Sequence, residues 1–211
     1  MQQQGIVYPA RLSVDYPDRD LNRLTTFFRL FAAIPILIVL STVSGGVWQW
    51  SYENGKTAAA AAGGLLFFGP LLMILFRHKY PRWWFDFNLQ LTRFSTRVSS
   101  YLALLSDRYP STDEEQSVHL DLEYPNVKED LNRWLPLVKW LLAIPHFIVL
   151  LFLTIASVFA VIIAWFAILF TGRYPRTLFN FVEGVMRWWL RVDAYAMLLT
   201  TDRYPPFRLA A

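Results

Sequence analysis

Two long stretches of this sequence occur twice in the same order, and this duplication constrains the fold more than any single residue does. Residues 15–40 match residues 123–150, and residues 80–110 match residues 174–205. The recurring residues are prolines, aromatic residues and charged residues in the same order and at closely similar spacing, so composition alone does not produce the match. Because a sequence repeat usually encodes a structural repeat, we predict two tandem copies of one unit.

The apolar residues are concentrated in blocks that are long enough for membrane helices. The chain of 211 residues is 55% hydrophobic, and neither 58–76 nor 141–170 contains a charged residue. Soluble domains are usually about 45–50% apolar, and roughly 20 consecutive apolar residues span a bilayer. We therefore expect a mainly α-helical integral membrane protein. The absence of cysteine excludes disulfides and thiolate metal sites.

Each predicted unit contains a short β-strand, a membrane helical hairpin and an amphipathic interfacial helix. The first unit covers residues 1–110 and the second covers residues 118–211, with a polar linker at 111–117. We expect the membrane hairpins at about 21–76 and about 131–170. Both hairpins return the chain to the side from which it came, so the units are predicted to be parallel repeats.

The second hairpin is predicted from the length of its apolar segment. A single helix over residues 134–170 would be about 55 Å long, well beyond a hydrocarbon core of about 30 Å. Two shorter helices that meet near residues 154–157 fit the bilayer better. Such a hairpin either spans the membrane fully or is re-entrant, and the sequence leaves both alternatives open.

An amphipathic helix follows each hairpin, and an alternating segment precedes it. Apolar residues recur every three or four positions at about 82–106 and about 176–200, which is typical of helices at a membrane surface. Residues 11–16 and 118–124 alternate with the period of a β-strand. A lone strand is not stable, so these two strands are expected to pair with each other or to lie against the Tyr-Pro turns.

Charge placement predicts the orientation in the membrane. Of the 20 Lys and Arg residues, only Lys56 falls in a predicted connection at a hairpin tip. Basic residues next to membrane segments are retained in the cytoplasm. We therefore predict that both termini are cytoplasmic and that the basic helices contact the anionic lipids of the inner leaflet.

Two rows of side chains are candidate contacts for lipid headgroups or acidic partners. Their members stand at steps of four on one helix face and are Arg93, Arg97 and Tyr101 in the first unit and Arg187, Arg191 and Tyr195 in the second. The planar guanidinium group of arginine matches two phosphate oxygens. The alternative is general anchoring of a basic helix to an anionic leaflet, together with pairing to nearby acids such as Glu183 or Asp86. Arg29 and Lys139 are matching charges where the hairpins enter the membrane, which indicates either snorkelling or a paired internal site.

Other candidates for chemistry are weak. His146 is the one titratable residue within 141–170, and a histidine in a membrane can bind haem or move protons. It has no partner at ligand spacing, and its place near the start of a helix favours an interfacial role. We find no phosphate-binding glycine loop, metal-ligand cluster or nucleophile elbow, so we expect no enzyme, no cofactor, no metal and no nucleic-acid partner.

The second unit carries distinctive runs, namely Ala-Ile-Pro-His at 143–146, Thr-Gly-Arg-Tyr-Pro at 171–175 and Leu-Leu-Thr-Thr-Asp-Arg-Tyr-Pro-Pro-Phe at 198–207. These runs resemble an uncharacterised bacterial membrane family, domain of unknown function 4389, and the resemblance extends over the whole chain. The first unit departs from it, with Arg-His-Lys at 77–79 in place of Thr-Gly-Arg. The resemblance implies a multi-pass protein of the bacterial inner membrane and supplies no catalytic residues.

These observations predict a non-enzymatic membrane scaffold or accessory subunit. Its hairpins would pack against another integral membrane protein or against its own copies. The alternative is a lipid-binding or transport protein with a groove at the interface between the repeats. The many aromatic residues on short elements that prolines interrupt suit the rigid docking surface of a scaffold.

Overall fold

The computed structural model describes residues 8–44, 48–51, 57–60, 63–112, 114 and 116–210, and within these ranges the chain is mainly helical. In chain order, the strands are β1 (Ala10–Val14), β2 (Trp48–Ser51), β3 (Thr57–Ala60) and β4 (Val118–Leu122). The helices are α1 (Arg23–Phe27), α2 (Arg29–Ser44), α3 (Gly63–Leu72), α4 (Arg82–Leu102), α5 (Val127–Asp130), α6 (Pro136–Leu142), α7 (Ile144–Thr171) and α8 (Arg176–Ala196). A single π-helical turn, Met73–Arg77, extends α3.

The two alternating segments form one small antiparallel sheet. β1 pairs with β4 in a register that places Ala10 opposite Leu122 and Val14 opposite Val118. Every second residue of each strand is buried, and the intervening residues are exposed. This burial follows from the period of two that the sequence contains, because successive side chains of a strand point to opposite faces.

The buried face of the sheet lies on the two amphipathic helices. α8 packs against β1, and α4 packs against β4. Each helix begins directly after a proline, Pro81 or Pro175, whose ring fixes a backbone angle that suits a helix start. Each helix also has a buried apolar side, which includes Phe85 and Val98 in α4 and Phe179 and Val192 in α8. The sheet and these helices together form most of the core.

The long helix α7 runs along this core. One narrow stripe of it is buried, consisting of His146, Leu150, Ala160, Ala164 and Ile168. The helix ends at Gly172, which has φ of 76° and occupies the left-handed conformation that glycine adopts without strain. The carbonyl of Gly172 accepts a hydrogen bond of 2.7 Å from the backbone N–H of Leu21, so the end of α7 is joined to the N-terminal part of the chain.

The predicted second hairpin is wrong, because α7 is one uninterrupted helix of 28 residues. The expected turn near Thr154 and Ser157 lies in the middle of this helix. No proline or glycine falls between His146 and Thr171, so no residue breaks the helix there. The break lies instead at Ala143, between α6 and α7, which shortens the helix to about 42 Å.

The predicted first hairpin also differs from the structure. Its two expected spanning helices are replaced by shorter elements, since α1 and α2 are separated at Phe28 and residues Thr57–Ala60 form strand β3. β3 pairs antiparallel with β2, and β2 lies in the predicted connection at the tip of this hairpin, residues 44–56. Residues 45–47 and 52–56 of that connection lie outside the described residues.

The predicted fold class, an integral membrane protein of two parallel repeats with one hairpin each, is therefore wrong. Among the residues that the structure describes, α7 is the one helix that is both long and apolar enough to cross a membrane. The observed fold is mainly helical, with two small two-stranded sheets. The two hairpins were predicted by splitting each apolar block into helices that fit the thickness of a bilayer. Chain breakers, and not bilayer thickness, decide where a helix ends.

Candidate functional site

Arg93 and Arg187, the first members of the two predicted rows, bind strand carbonyls. The Nε–H of Arg187 donates to the carbonyl of Leu12 at 2.8 Å, and the Nε–H of Arg93 donates to the carbonyl of Leu120 at 3.0 Å. Arg187 also forms an ion pair of 2.5 Å with Glu183, one helical turn away. Arg187 thus joins α8 to β1, and Arg93 joins α4 to β4.

Arg97 and Arg191, the second members of the rows, bind carbonyls of neighbouring segments. Arg97 donates to the carbonyl of Ser111 at 2.9 Å. Arg191 is 2% exposed and donates to the carbonyls of Arg208 at 3.1 Å and Ala210 at 2.6 Å. The predicted lipid or acidic-partner role of the rows stays a prediction. Within the described chain these side chains act as cross-links that hold the sheet and the C-terminal segment on α4 and α8.

Tyr101, the third member of the first row, lies in a cluster around a buried ion pair. Arg29 forms an ion pair with Asp107 and donates a hydrogen bond of 3.0 Å to the carbonyl of Tyr101. Its guanidinium also lies 4.6 Å from the centre of the Tyr101 ring, a distance suited to a cation–π contact. Only 2% of Arg29 is exposed. The charge is therefore enclosed by the protein, and the predicted role of Arg29 at a membrane entry stays a prediction.

Lys139 of α6 and Tyr195 of α8 form the corresponding cluster in the second half of the chain. The ammonium group of Lys139, which is fully buried, lies 2.7 Å from a carboxylate oxygen of Asp202. It also donates to the carbonyl of Thr201 at 2.7 Å and lies 5.1 Å from the centre of the Tyr195 ring. Burial lowers the pKa of Lys139, and Asp202 opposes this change by favouring the charged form.

The sequence analysis did not predict the acidic partners of these two cations. Asp107 and Asp202 both belong to the recurring Asp-Arg-Tyr-Pro runs. The recurrence of an aspartate at matching positions in the two halves was the available signal, since the matching cations Arg29 and Lys139 require counter-charges wherever they are buried.

His146 is fully buried in an aromatic cluster near the start of α7. Its ring stacks on Phe207 with a centroid distance of 3.9 Å, and Tyr204 lies 4.8 Å away. The indole N–H of Trp188 donates to Nδ1 of His146 at 3.1 Å. A neutral imidazole that accepts at Nδ1 carries its proton on Nε2. His146 therefore joins α7 to α8 and to the C-terminal segment.

A cleft of about 240 Å³ lies between α4 and α8. The α4 side presents four hydroxyl groups, which belong to Thr92, Ser95, Thr96 and Ser99. The α8 side presents Met186, Trp189 and Leu190 together with the carboxylate of Asp193. Burial raises the pKa of Asp193 to about 7. The sequence analysis did not single out this aspartate, because nothing in the local sequence distinguishes it from a solvent-exposed acid.

The outward side of α7 is a continuous apolar surface. Its exposed side chains are Ile148, Leu151, Phe152, Ile155, Val158, Phe159, Ile162, Ile163, Phe166 and Phe170. Leu30, Phe31, Ile34 and Ile38 of α2 are exposed as well. Apolar surfaces of this extent are characteristic of contacts with lipid or with another protein.

Comparison with known proteins connects one part of the chain to a family. Residues 134–208 match a family model described as Domain of unknown function (DUF4389). The matched segment contains α6, α7, α8 and the C-terminal Asp-Arg-Tyr-Pro run, and it is less than half of the chain. The resemblance is thus supported for this segment alone. No curated protein and no solved structure matches the chain.

Proposed function

We propose that the protein is a non-enzymatic membrane scaffold or accessory subunit that docks on another integral membrane protein or on its own copies. The observation that carries the proposal is the outward surface of α7. Only 22% of its most apolar 18-residue stretch is buried. A core helix of a soluble protein is mostly buried, and a signal sequence lies near the N-terminus. α7 has neither property, so its apolar surface calls for lipid or a partner.

The contacts of α7 with the rest of the chain support a scaffold more than a tethered anchor. The side chain of Trp189 in α8 donates to the hydroxyl of Thr154 at 3.0 Å, in the middle of α7. Near the end of α7, the indole of Trp165 donates to the carbonyl of Thr26 at 3.2 Å. Together with the contact between His146 and α8, these bonds fix α7 along its length. A partner that holds α7 would therefore also hold the sheet and both arginine-bearing helices.

The non-enzymatic part of the proposal rests on how the charged side chains are used. Arg187 and Arg191 bind carbonyls of the chain, and the buried cations Arg29 and Lys139 bind aspartates. Groups in such contacts are held by the fold and stabilise it. Their arrangement suits a rigid body that presents an apolar surface.

We place this body at the cytoplasmic membrane of a bacterium, with its basic side toward the cytoplasm. The resemblance to a bacterial membrane family supports the source. The retention of Lys and Arg on the cytoplasmic side of membrane helices supports the orientation. Anionic lipids are then the natural neighbours of basic residues that flank α7, such as Arg173 and Arg176.

The test places charges on the outward side of α7. Ile155→Arg with Phe159→Arg alters two exposed residues near the middle of the helix. We expect this variant to leave carbonate-washed membranes and to lose its stoichiometric protein partner in mild detergent, because each arginine costs about 3 kcal/mol at the centre of a membrane helix. A variant that stays in the membrane would contradict the role of α7.

The matched control adds the same two charges to the polar body. Ser13→Arg with Gln116→Arg changes residues on and next to the small sheet, away from α7, and should leave both readouts unchanged. Purification of the wild-type protein as a monodisperse particle, with phospholipid but with no partner and no second copy, would contradict the scaffold itself.

The second candidate function is lipid binding, and the cleft between α4 and α8 favours it. The cleft combines the hydroxyl groups of α4 with one carboxylate and three large side chains of α8. Its volume of about 240 Å³ is below the usual 300–1,000 Å³ of sites for drug-sized ligands, so it suits a headgroup and not an acyl chain.

A further inference from the structure

The hydroxyl groups in the cleft between α4 and α8 present hydrogen-bond acceptors only. Thr92 donates its proton to the carbonyl of Asn88 at 2.7 Å, and Thr96 donates to the carbonyl of Thr92 at 2.7 Å. Ser95 and Ser99 likewise donate to carbonyls of α4, at 3.0 and 2.9 Å. A hydroxyl has one proton and two lone pairs, so each group keeps only acceptor capacity for the cleft.

The α8 side of the cleft supplies a negative charge and no free donor. The indole N–H of Trp189 is already bound to Thr154. In the part of the chain that the structure describes, no donor and no cation contacts the carboxylate of Asp193. Burial is the cause of its raised pKa, since no neighbouring charge contributes. A carboxylate in such a place is stabilised when a cation with hydrogen-bond donors binds next to it.

We propose that the cleft between α4 and α8 binds a primary ammonium group, with Asp193 as the counter-charge and the hydroxyl oxygens of α4 as acceptors. An ammonium group carries three N–H donors and no acceptor, which complements a lining of acceptors. The indole of Trp189 offers an aromatic wall for the cation and its first methylene groups.

Two other cations fit the lining less well. A quaternary ammonium group has no N–H donor and leaves the hydroxyl oxygens without hydrogen bonds. A divalent metal ion takes six or more oxygen ligands, often from several carboxylates, and Asp193 is the single carboxylate in the described lining. The ligand class is therefore a primary amine, either free or as the headgroup of a lipid. The lipid source rests on the lipid-binding function proposed above.

The experiment uses the full chain in detergent and titrates ethanolamine against choline at constant ionic strength and pH 8. We expect ethanolamine to bind at least tenfold more tightly than choline, measured by calorimetry. Asp193→Asn should weaken ethanolamine binding at least tenfold. Asp121→Asn, which alters an exposed carboxylate of the sheet, should leave it unchanged. Equal binding of choline, or equal competition by potassium chloride, would overturn the proposal.

A second variant and a lipid arm complete the test. Thr96→Val keeps the size of the side chain and removes one acceptor, so it should weaken ethanolamine binding at least threefold even if Asp193→Asn fails to fold. In nanodiscs, a larger increase in the thermal stability of the protein with phosphatidylethanolamine than with phosphatidylcholine identifies a lipid source. Ethanolamine binding without that lipid preference identifies a free amine as the ligand. This outcome contradicts the lipid-binding function but supports the ammonium site. If neither ethanolamine nor phosphatidylethanolamine binds, both the site and the lipid-binding function are contradicted.

Discussion

Arg29 and Lys139 are cations that the chain encloses beside Asp107 and Asp202, respectively. Arg29 and Lys139 occupy corresponding positions of the two repeated stretches, so the sequence indicated that they are equivalent. It did not show their partners, because Lys139 and Asp202 are separated by more than sixty positions and no local spacing encodes the contact. The same limit explains His146, whose aromatic neighbours in α8 and in the C-terminal segment are distant in sequence.

The first residue-scale prediction concerns the buried ion pair of Lys139. Asp202→Asn leaves the ammonium group of Lys139 buried without its counter-charge, and we expect the free energy of unfolding to fall by about 3–5 kcal/mol. Chemical denaturation in detergent measures this change. The control is Asp20→Asn, which removes the exposed pair between Asp20 and Arg173 and should cost less than about 1 kcal/mol. Similar losses in the two variants would contradict the buried role of Lys139.

The second prediction concerns the pH dependence that Asp193 introduces. The pKa of Asp193 is about 7 in the folded protein, compared with an ordinary value of 3.8. Between these values the folded state keeps a proton that the unfolded chain has lost. The free energy of unfolding should therefore decrease as the pH rises from about 4 to about 7, by on the order of 2 kcal/mol for a partly exposed group.

Asp193→Asn should remove this decrease, because asparagine does not titrate. No other titratable residue lines the cleft within the described chain, so Asp193 accounts for the local effect. Denaturation curves collected between pH 4 and pH 8 test the prediction, with Asp121→Asn as the control. An unchanged pH dependence in Asp193→Asn would show that this carboxylate titrates normally.

At the scale of elements, the local periodicity of apolar residues predicted strands and helices better than the lengths of the apolar blocks did. The alternation at 11–16 and 118–124 indicated strands, and β1 and β4 are strands. The apolar period at 82–106 and 176–200 indicated helices, and α4 and α8 lie within these ranges. The hairpins failed because uniform apolar sequence gives no signal for a turn. Bilayer thickness then decided the prediction, whereas α7 continues without a chain breaker until Gly172.

The third prediction tests the continuity of α7. Ser157→Pro places a proline in the middle of the helix, where it removes a backbone hydrogen bond and clashes with the preceding turn. We expect a loss of about 3 kcal/mol or more in the free energy of unfolding. Thr112→Pro, in the linker before β4, should have little effect. A tolerated proline at position 157 would indicate a turn there, as a helical hairpin requires.

At the scale of the whole molecule, the sheet joins segments that are more than one hundred positions apart. The sequence left open whether the two alternating segments pair with each other or lie against the Tyr-Pro turns, and in the structure they pair. A two-stranded sheet is marginal alone, so β1 and β4 depend on the helices on which they lie. The arginine bonds from α8 to Leu12 and from α4 to Leu120 hold the two strands in equivalent ways.

The last prediction uses the absence of cysteine to test this long-range register. Arg11 lies opposite Asp121 on the exposed face of the sheet, so Arg11→Cys with Asp121→Cys should form a disulfide on mild oxidation. Non-reducing electrophoresis after cleavage in the connecting region detects the bond. Ser13→Cys with Glu123→Cys is the control, because a shift of four positions places the cysteines about 13 Å apart. Cross-linking of the control pair alone would mean that the chain closes in another register, and the arginine bonds to the strand carbonyls would then be absent.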